Sequence, residues 1–208
     1  MVTFSVPVSR TNSLSVADSA GQFRFSVPQA TVMLAGSRNR QLPKKLCNAL
    51  LNAFSRHGFS FFVGCAQGVD QCFRDAITAS PCKEHTLVAC AFEKRVEFFY
   101  SRGLIATKVV PDNLPPKAAL HRRTVWMATR CGMLLLFPED PTTGTWGKGS
   151  TLAFETAMYH SKPVFVAKAQ PPKESNQYCI LPSRLFATVD GYWIIPRDYE
   201  GGVGYEAF

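Results

Sequence analysis

A chain of 208 residues, 46% hydrophobic and 18% charged, is long enough to bury a full core and short for two independent domains. Its formal net charge of +8 and pI near 9.3 favour an anionic partner, a nucleotide, a nucleic acid or an acidic surface. No basic run is longer than Lys44-Lys45 or Arg122-Arg123, which excludes a basic tail that coats nucleic acid and leaves the charge to act through folded geometry.

The N-terminus carries neither a basic start nor an unbroken apolar stretch, because Ser5, Pro7, Ser9, Arg10 and Thr11 interrupt it. Neither a signal peptide nor a membrane span is expected, and the expected location is the cytoplasm. Residues 1–30 alternate weakly (Val2, Phe4, Val6, Val8, then Phe23, Phe25, Val27) and read as an extended or hairpin appendage. From Thr31 the texture changes to short apolar runs separated by segments of helical period. The runs Thr31 to Ala35, Phe59 to Val63, Thr86 to Ala91, Gly132 to Phe137 and Pro163 to Ala167 are predicted strands, nearly all apolar as strands covered on both faces must be.

Between the first two strands, Leu46, Ala49, Leu50, Ala53 and Phe54 share a helical face that starts near Pro43 and closes at Gly58. A second helix carries Val69, Cys72, Phe73, Ala76 and Ile77 and stops at Ser80-Pro81. A third is expected over Pro116 to Arg130, and a fourth from about Ser150 to His160 with Ser150 as N-cap. Beyond Gln170, short strands are predicted around Tyr178 to Leu181 and Tyr192 to Ile195. The expected fold is therefore α/β and Rossmann-like, three layers with a mainly parallel sheet flanked by helices. Residues 31–169 form the nucleotide-binding domain, 1–30 an N-terminal hairpin, and 170–208 a C-terminal extension packed on the same domain.

Four constellations carry possible chemistry. Gly36-Ser37-Arg38 follows an apolar strand, where glycine admits an anion and Ser and Arg donate to it, or where a plain turn exposes an arginine. Gly64-Cys65-Ala66-Gln67-Gly68-Val69-Asp70 joins the second strand to a helix, so that backbone N–H groups at the helix N-terminus offer a phosphate seat. Asp70 either serves that terminus or binds a ribose. Thr145-Trp146-Gly147-Lys148-Gly149-Ser150-Thr151 repeats the pattern of strand, small-residue loop and helix, with Gly147 and Gly149 allowing close approach and Ser150 and Thr151 holding a phosphate or ribose. It is not a Walker motif, because Lys148 precedes Gly-Ser-Thr with the wrong spacing.

In the third helix, Arg123 falls between Leu120 and Met127 on the face turned to the core, whereas Arg122 points away. An inward guanidinium needs an anion, either Glu155 or a bound phosphate. Glu155, in a segment apolar on most sides, is the best candidate for a working carboxylate, or else a partly buried Glu satisfied by an arginine. The histidines 57, 85 and 160 read as surface residues, and no Ser-His-Asp order or Cys-His pair supports a nucleophilic hydrolase. Seven cysteines without a C-x-x-C pair read as free thiols of a reducing compartment; no metal site and no cofactor is expected. Trp126 and Phe98-Phe99-Tyr100 are candidates for a homodimer or higher oligomer interface.

In order along the chain, Gly36-Ser37-Arg38, Gly64-x-Ala66-x-Gly68-x-Asp70, Arg123 and Gly149-Ser150-Thr151 resemble the SLOG superfamily over about Thr31 to Lys168. That group includes the lysine-decarboxylase-like phosphoribohydrolases, the DNA-processing protein A family and small nucleotide-sensing domains. The phosphoribohydrolase branch implies an arginine in a His-x-Arg-Lys-x-x-Met helix, similar to His121 to Met127, and a glutamate three residues past a Gly-Thr pair. Here that count from Ser150 reaches Ala153, and Glu155 lies two residues further on. The DNA-processing branch implies binding of single-stranded DNA, although no interleaving of aromatic and basic residues marks a base-stacking platform. The sensing branch implies capture of a nucleotide-derived signal by a sensor or sequestering protein, and it is the main expectation. Cleavage of a nucleoside monophosphate with Arg123 and Glu155 as catalytic groups, and single-stranded DNA binding, are the alternatives.

Overall fold

The computed structural model describes residues 12–18, 21–27, 30–140, 146–167, 170–171, 175–199 and 203–206. The candidate residue Thr145, the alternating Val2 to Val8 segment and Lys168 lie outside them. The chain begins with an antiparallel hairpin of β1 (Asn12–Asp18) and β2 (Gly21–Val27), which is followed by β3 (Thr31–Gly36). It continues through α1 (Lys44–Arg56), β4 (Ser60–Gly64), α2 (Val69–Thr78), a 3-10 turn over Pro81–His85 and β5 (Thr86–Cys90). There follow α3 (Glu93–Tyr100), β6 (Ile105–Lys108), α4 (Pro116–Arg130), β7 (Met133–Phe137), α5 (Lys148–Tyr159) and β8 (Val164–Ala167). A second hairpin, β9 (Tyr178–Leu185) and β10 (Val189–Pro196), precedes β11 (Val203–Glu206).

Eight strands form the main sheet in the order β6-β5-β4-β3-β7-β8-β10-β9. The first six run parallel, and β10 pairs antiparallel with both β8 and β9. β11 returns to β2 and completes a separate sheet, β1-β2-β11. The chain leaves β3 towards β4, β5 and β6, then crosses back to place β7 on the other side of β3. The crevice between the carboxyl ends of β3 and β7 is therefore the topological switch point, where open sheets of this kind receive ligands.

Strand periodicity divides the core into two layers. Val32 and Leu34 turn to one face and pack with Phe61 of β4 and with Leu50, Phe54 and Phe73 of the α1–α2 layer. Met33 and Ala35 turn to the other and pack with Met127, Ala128, Ala153 and Ala157 of α4 and α5. Phe54 is fully buried and meets Phe59 and Phe186 edge to face, with ring centroids 5.5 and 4.9 Å apart. The hairpin β9–β10 is part of the same core, because Trp193 packs on Phe165 of β8 at 5.4 Å.

All five apolar runs are strands and all four helical segments are helices, with α4 over the residues expected. The structure adds α3 and β6. β6 is an edge strand with only Ala106 buried, so it lacks the continuous apolar run that marks its neighbours. α3 is short and buries only Val96 and Phe99. Ser150 is not the N-cap of the last helix: Gly147 holds that position, and Ser150 sits buried within the first turn. Of the proposed contact aromatics, Phe98 and Tyr100 are exposed, Phe99 is buried, and Trp126 is half-buried against Phe62. Among the described residues no helix is long and apolar enough to cross a membrane.

Phe54→Ala removes a ring that closes the α1 layer over β3 and β4. It is expected to lower the unfolding free energy by about 3–5 kcal/mol, read as a lower urea midpoint at unchanged slope.

Candidate functional site

Parallel register brings the carboxyl ends of four strands level: Gly36 of β3 lies opposite Phe137 of β7, and Gly64 of β4 opposite Ala89 of β5. The loops that leave these ends are stitched together by the main chain. Ser37 N–H donates to Phe137 O at 2.9 Å, and Val69 N–H donates to Ser37 O at 3.1 Å. Gly68 makes the second contact possible. Its φ of +73° is a left-handed conformation, and a Cβ there would run into the carbonyls of Ser37 and Arg38.

The third corner comes in from α5. Asn39 Nδ2 donates to Glu139 Oε1 at 2.7 Å, and a Cβ placed on Gly147 would stand 3.8 Å from Glu139 Oε2. The β3 loop is further tied to the β7 end by Arg40, whose Nη1 donates to Pro138 O at 3.1 Å. The three small-residue corners thus meet at one edge. Among the described residues, nothing lies within 4 Å of a Cβ built on Gly149, and no side chain caps the N-terminus of α5. The first amides of a helix have no partner within the helix and suit an anion.

Arg123 enters this edge from α4 as the helical phase predicts: it is buried, while Arg122 is exposed. Its partner is Asp70, not Glu155. Nη1 of Arg123 donates to Asp70 Oδ2 at 3.0 Å, with the two side chains 6% and 7% exposed. Asp70 Oδ2 also accepts from Ala66 N–H at 3.2 Å, so Asp70 organises the loop before α2 without capping the helix, whose N-cap is Gly68. The pair crosses directly over Gly64, where any Cβ would occupy the space of the guanidinium.

Arg74, four residues after Asp70 on α2, was not singled out by the sequence reading. It is buried, donates to the carbonyls of Gly64 and Ala66, and stacks over Phe99 at 4.8 Å. Burial depresses its pKa, and Asp70 opposes that shift. The signal available for it was the i, i+4 spacing from Asp70.

Glu155 is exposed on α5. The buried side of this helix runs through Ser150, Ala153 and Ala157, and Glu155 lies about 200° round the wheel from Ala153. The expectation that Glu155 is a partly buried carboxylate facing Arg123 is therefore corrected. Of the remaining candidates, Ser37 is buried with its Oγ accepting from Asn39 N–H at 3.0 Å, Arg38 and Gln67 are exposed, and Ala66 and Thr151 are half-buried. Of the candidate residues, Arg123 and Ser150 each have a buried side-chain atom, Nε and Oγ, with no hydrogen-bond partner among the described residues.

No protein-family profile and no curated protein sequence matches the chain. Among solved structures, it is similar to DNA processing protein A from Helicobacter pylori, described for its single-stranded DNA binding mode. The TM-score is 0.50 at 16% identity, over 79% of this chain and 84% of that one. It is also similar to DNA processing protein A from Streptococcus pneumoniae, with a TM-score of 0.51 at 15% identity, over 80% of this chain and 66% of that one. At such identities the likeness is one of fold: this is a Rossmann-like α/β protein.

Asp70→Ala strands the Arg123 guanidinium in the interior and is expected to cost about 3–5 kcal/mol of stability by denaturant titration. Glu155→Gln, on the exposed side of α5, is expected to change stability by no more than about 0.5 kcal/mol.

Proposed function

We propose that the carboxyl edge around β3, β7 and the start of α5 binds the phosphate backbone of single-stranded DNA. The observation that carries this reading is the meeting of three small-residue corners at the switch point, beside an uncapped helix N-terminus and the exposed cations Arg38 and Lys148. Helix amides and mobile surface cations suit phosphodiesters, which are read mainly by charge. The net charge of +8 and the fold shared with a protein described by its single-stranded DNA binding mode support the same choice.

A second reading, capture of a nucleotide or nucleotide-derived signal by a sensor or sequestering protein, draws on a different observation. Ser150 Oγ and Arg123 Nε are buried and unpartnered, and groups so deep serve a ligand that enters the protein rather than a strand that crosses its surface. N-glycosidic cleavage has less in its favour, because Asp70 is engaged by Arg123 and Glu155 faces solvent.

Fluorescence anisotropy with a labelled oligothymidylate is expected to show binding that weakens linearly in log–log form with added salt. Arg38→Ala and Lys148→Ala are each expected to weaken it and to lower the salt slope by about 1. No binding at low salt, together with calorimetric heat on mixing with mono-, di- or cyclic nucleotides, would replace the first reading by the second.

A further inference from the structure

We propose that Cys65 and Cys90 form a redox-sensitive dithiol, a modification site in the floor of the candidate site that peroxide closes to a disulfide. The inference is independent of which anion the site binds. The β4–β5 register ends at Gly64 opposite Ala89, so the next residues, Cys65 and Cys90, lie side by side at the carboxyl ends of neighbouring parallel strands. Neighbouring strands run about 4.7–4.9 Å apart, inside the Cα separation of about 4.4–6.8 Å that a disulfide spans. Both side chains turn to the α1–α2 face, in one core cluster with Val63 and Val88. The register therefore supplies the bridging geometry without a backbone rearrangement.

The Cys90 thiol donates to Val88 O at 3.7 Å, and the sulfurs of Cys65 and Cys90 are near enough for each to act on the other's ionisation. The neighbouring Cys90 thiol, aided by the Arg123 charge, holds the Cys65 thiol below its ordinary range against burial and against the Asp70 carboxylate, while the neighbouring Cys65 and burial push Cys90 up. Cys65 is thus the attacking thiolate and Cys90 the resolving thiol. No group of three His, Cys, Asp or Glu surrounds a common point among the described residues, which argues against the pair being half of a metal site.

The chemistry balances with hydrogen peroxide as oxidant. Cys65 thiolate attacks one peroxide oxygen, the O–O bond breaks, and sulfenic acid and hydroxide form. Cys90, no longer facing an anionic sulfur, loses its proton to the hydroxide and attacks the Cys65 sulfur, expelling the sulfenic oxygen as hydroxide, which takes up the remaining proton as water. Two thiols and one peroxide become one disulfide and two waters.

Peptide mapping of the full chain after peroxide treatment and alkylation tests this directly. The expected product is a tryptic cross-link between 57–74 and 84–94, two hydrogens lighter than the free pair, with fragmentation assigning Cys65 rather than Cys72, and reversed by dithiothreitol. Cys90→Ser, which removes the resolving thiol, is expected to leave a dimedone adduct on Cys65. Cys65 and Cys90 both recovered as free thiols at a dose that fully oxidises the exposed Cys179 would overturn the proposal. So would a cross-link through Cys72, or a Cys90→Ser protein with no adduct on Cys65.

Discussion

The carboxyl edge of the sheet depends on one buried ion pair. Arg123 reaches from the α4–α5 layer and Asp70 from the α2 layer, and they meet above the end of β4 at 3.0 Å. Removing two charges from water costs several kcal/mol per ion, and their attraction offsets this only with good geometry and further hydrogen bonds. Ala66 N–H supplies one such bond to Asp70. Gly64 supplies the room, since the guanidinium occupies the place of its missing side chain. The two helix layers on opposite faces of the sheet are thereby clasped at one point, and the Gly64 to Asp70 loop takes its shape from that clasp. Arg74 holds the same loop from below through two carbonyls, so the segment is fixed by two guanidinium groups with different duties.

How much of this could be read in advance follows from the range of each interaction. The buried strands are legible because coverage on both faces forces unbroken apolar runs, as in Met133–Phe137. The inward direction of Arg123 is legible because it follows from the phase of a single helix. Its partner is not, because Asp70 is 53 residues away and only tertiary packing joins them. α5 misleads for a different reason. Phe154 and Met158 are half-buried beside the Ser150, Ala153 and Ala157 stripe, so the helix is apolar on most sides and the sequence does not reveal that Glu155 is turned to solvent. The edge elements α3 and β6 are too short and too lightly buried to show a period.

These placements divide the charges of the edge into two kinds. Asp70 largely neutralises Arg123, so the buried guanidinium contributes hydrogen-bonding direction more than net attraction for an incoming anion. If the edge binds an anion as proposed, the attraction comes from groups that stay in solvent, Arg38 and Lys148, and from the amides at the start of α5. Attraction of that kind is long-ranged, weakly selective and screened by salt. Under the proposed reading, selectivity would fall to the unpartnered Arg123 Nε and Ser150 Oγ, because a buried donor left unmatched penalises every ligand that fails to reach it. On that reading a strand lying on the surface would engage the first set of groups, and only a ligand reaching the interior would engage both. The choice between a polymer and a small nucleotide at this edge is therefore a question of depth, decided by whether those two interior groups gain a partner on binding.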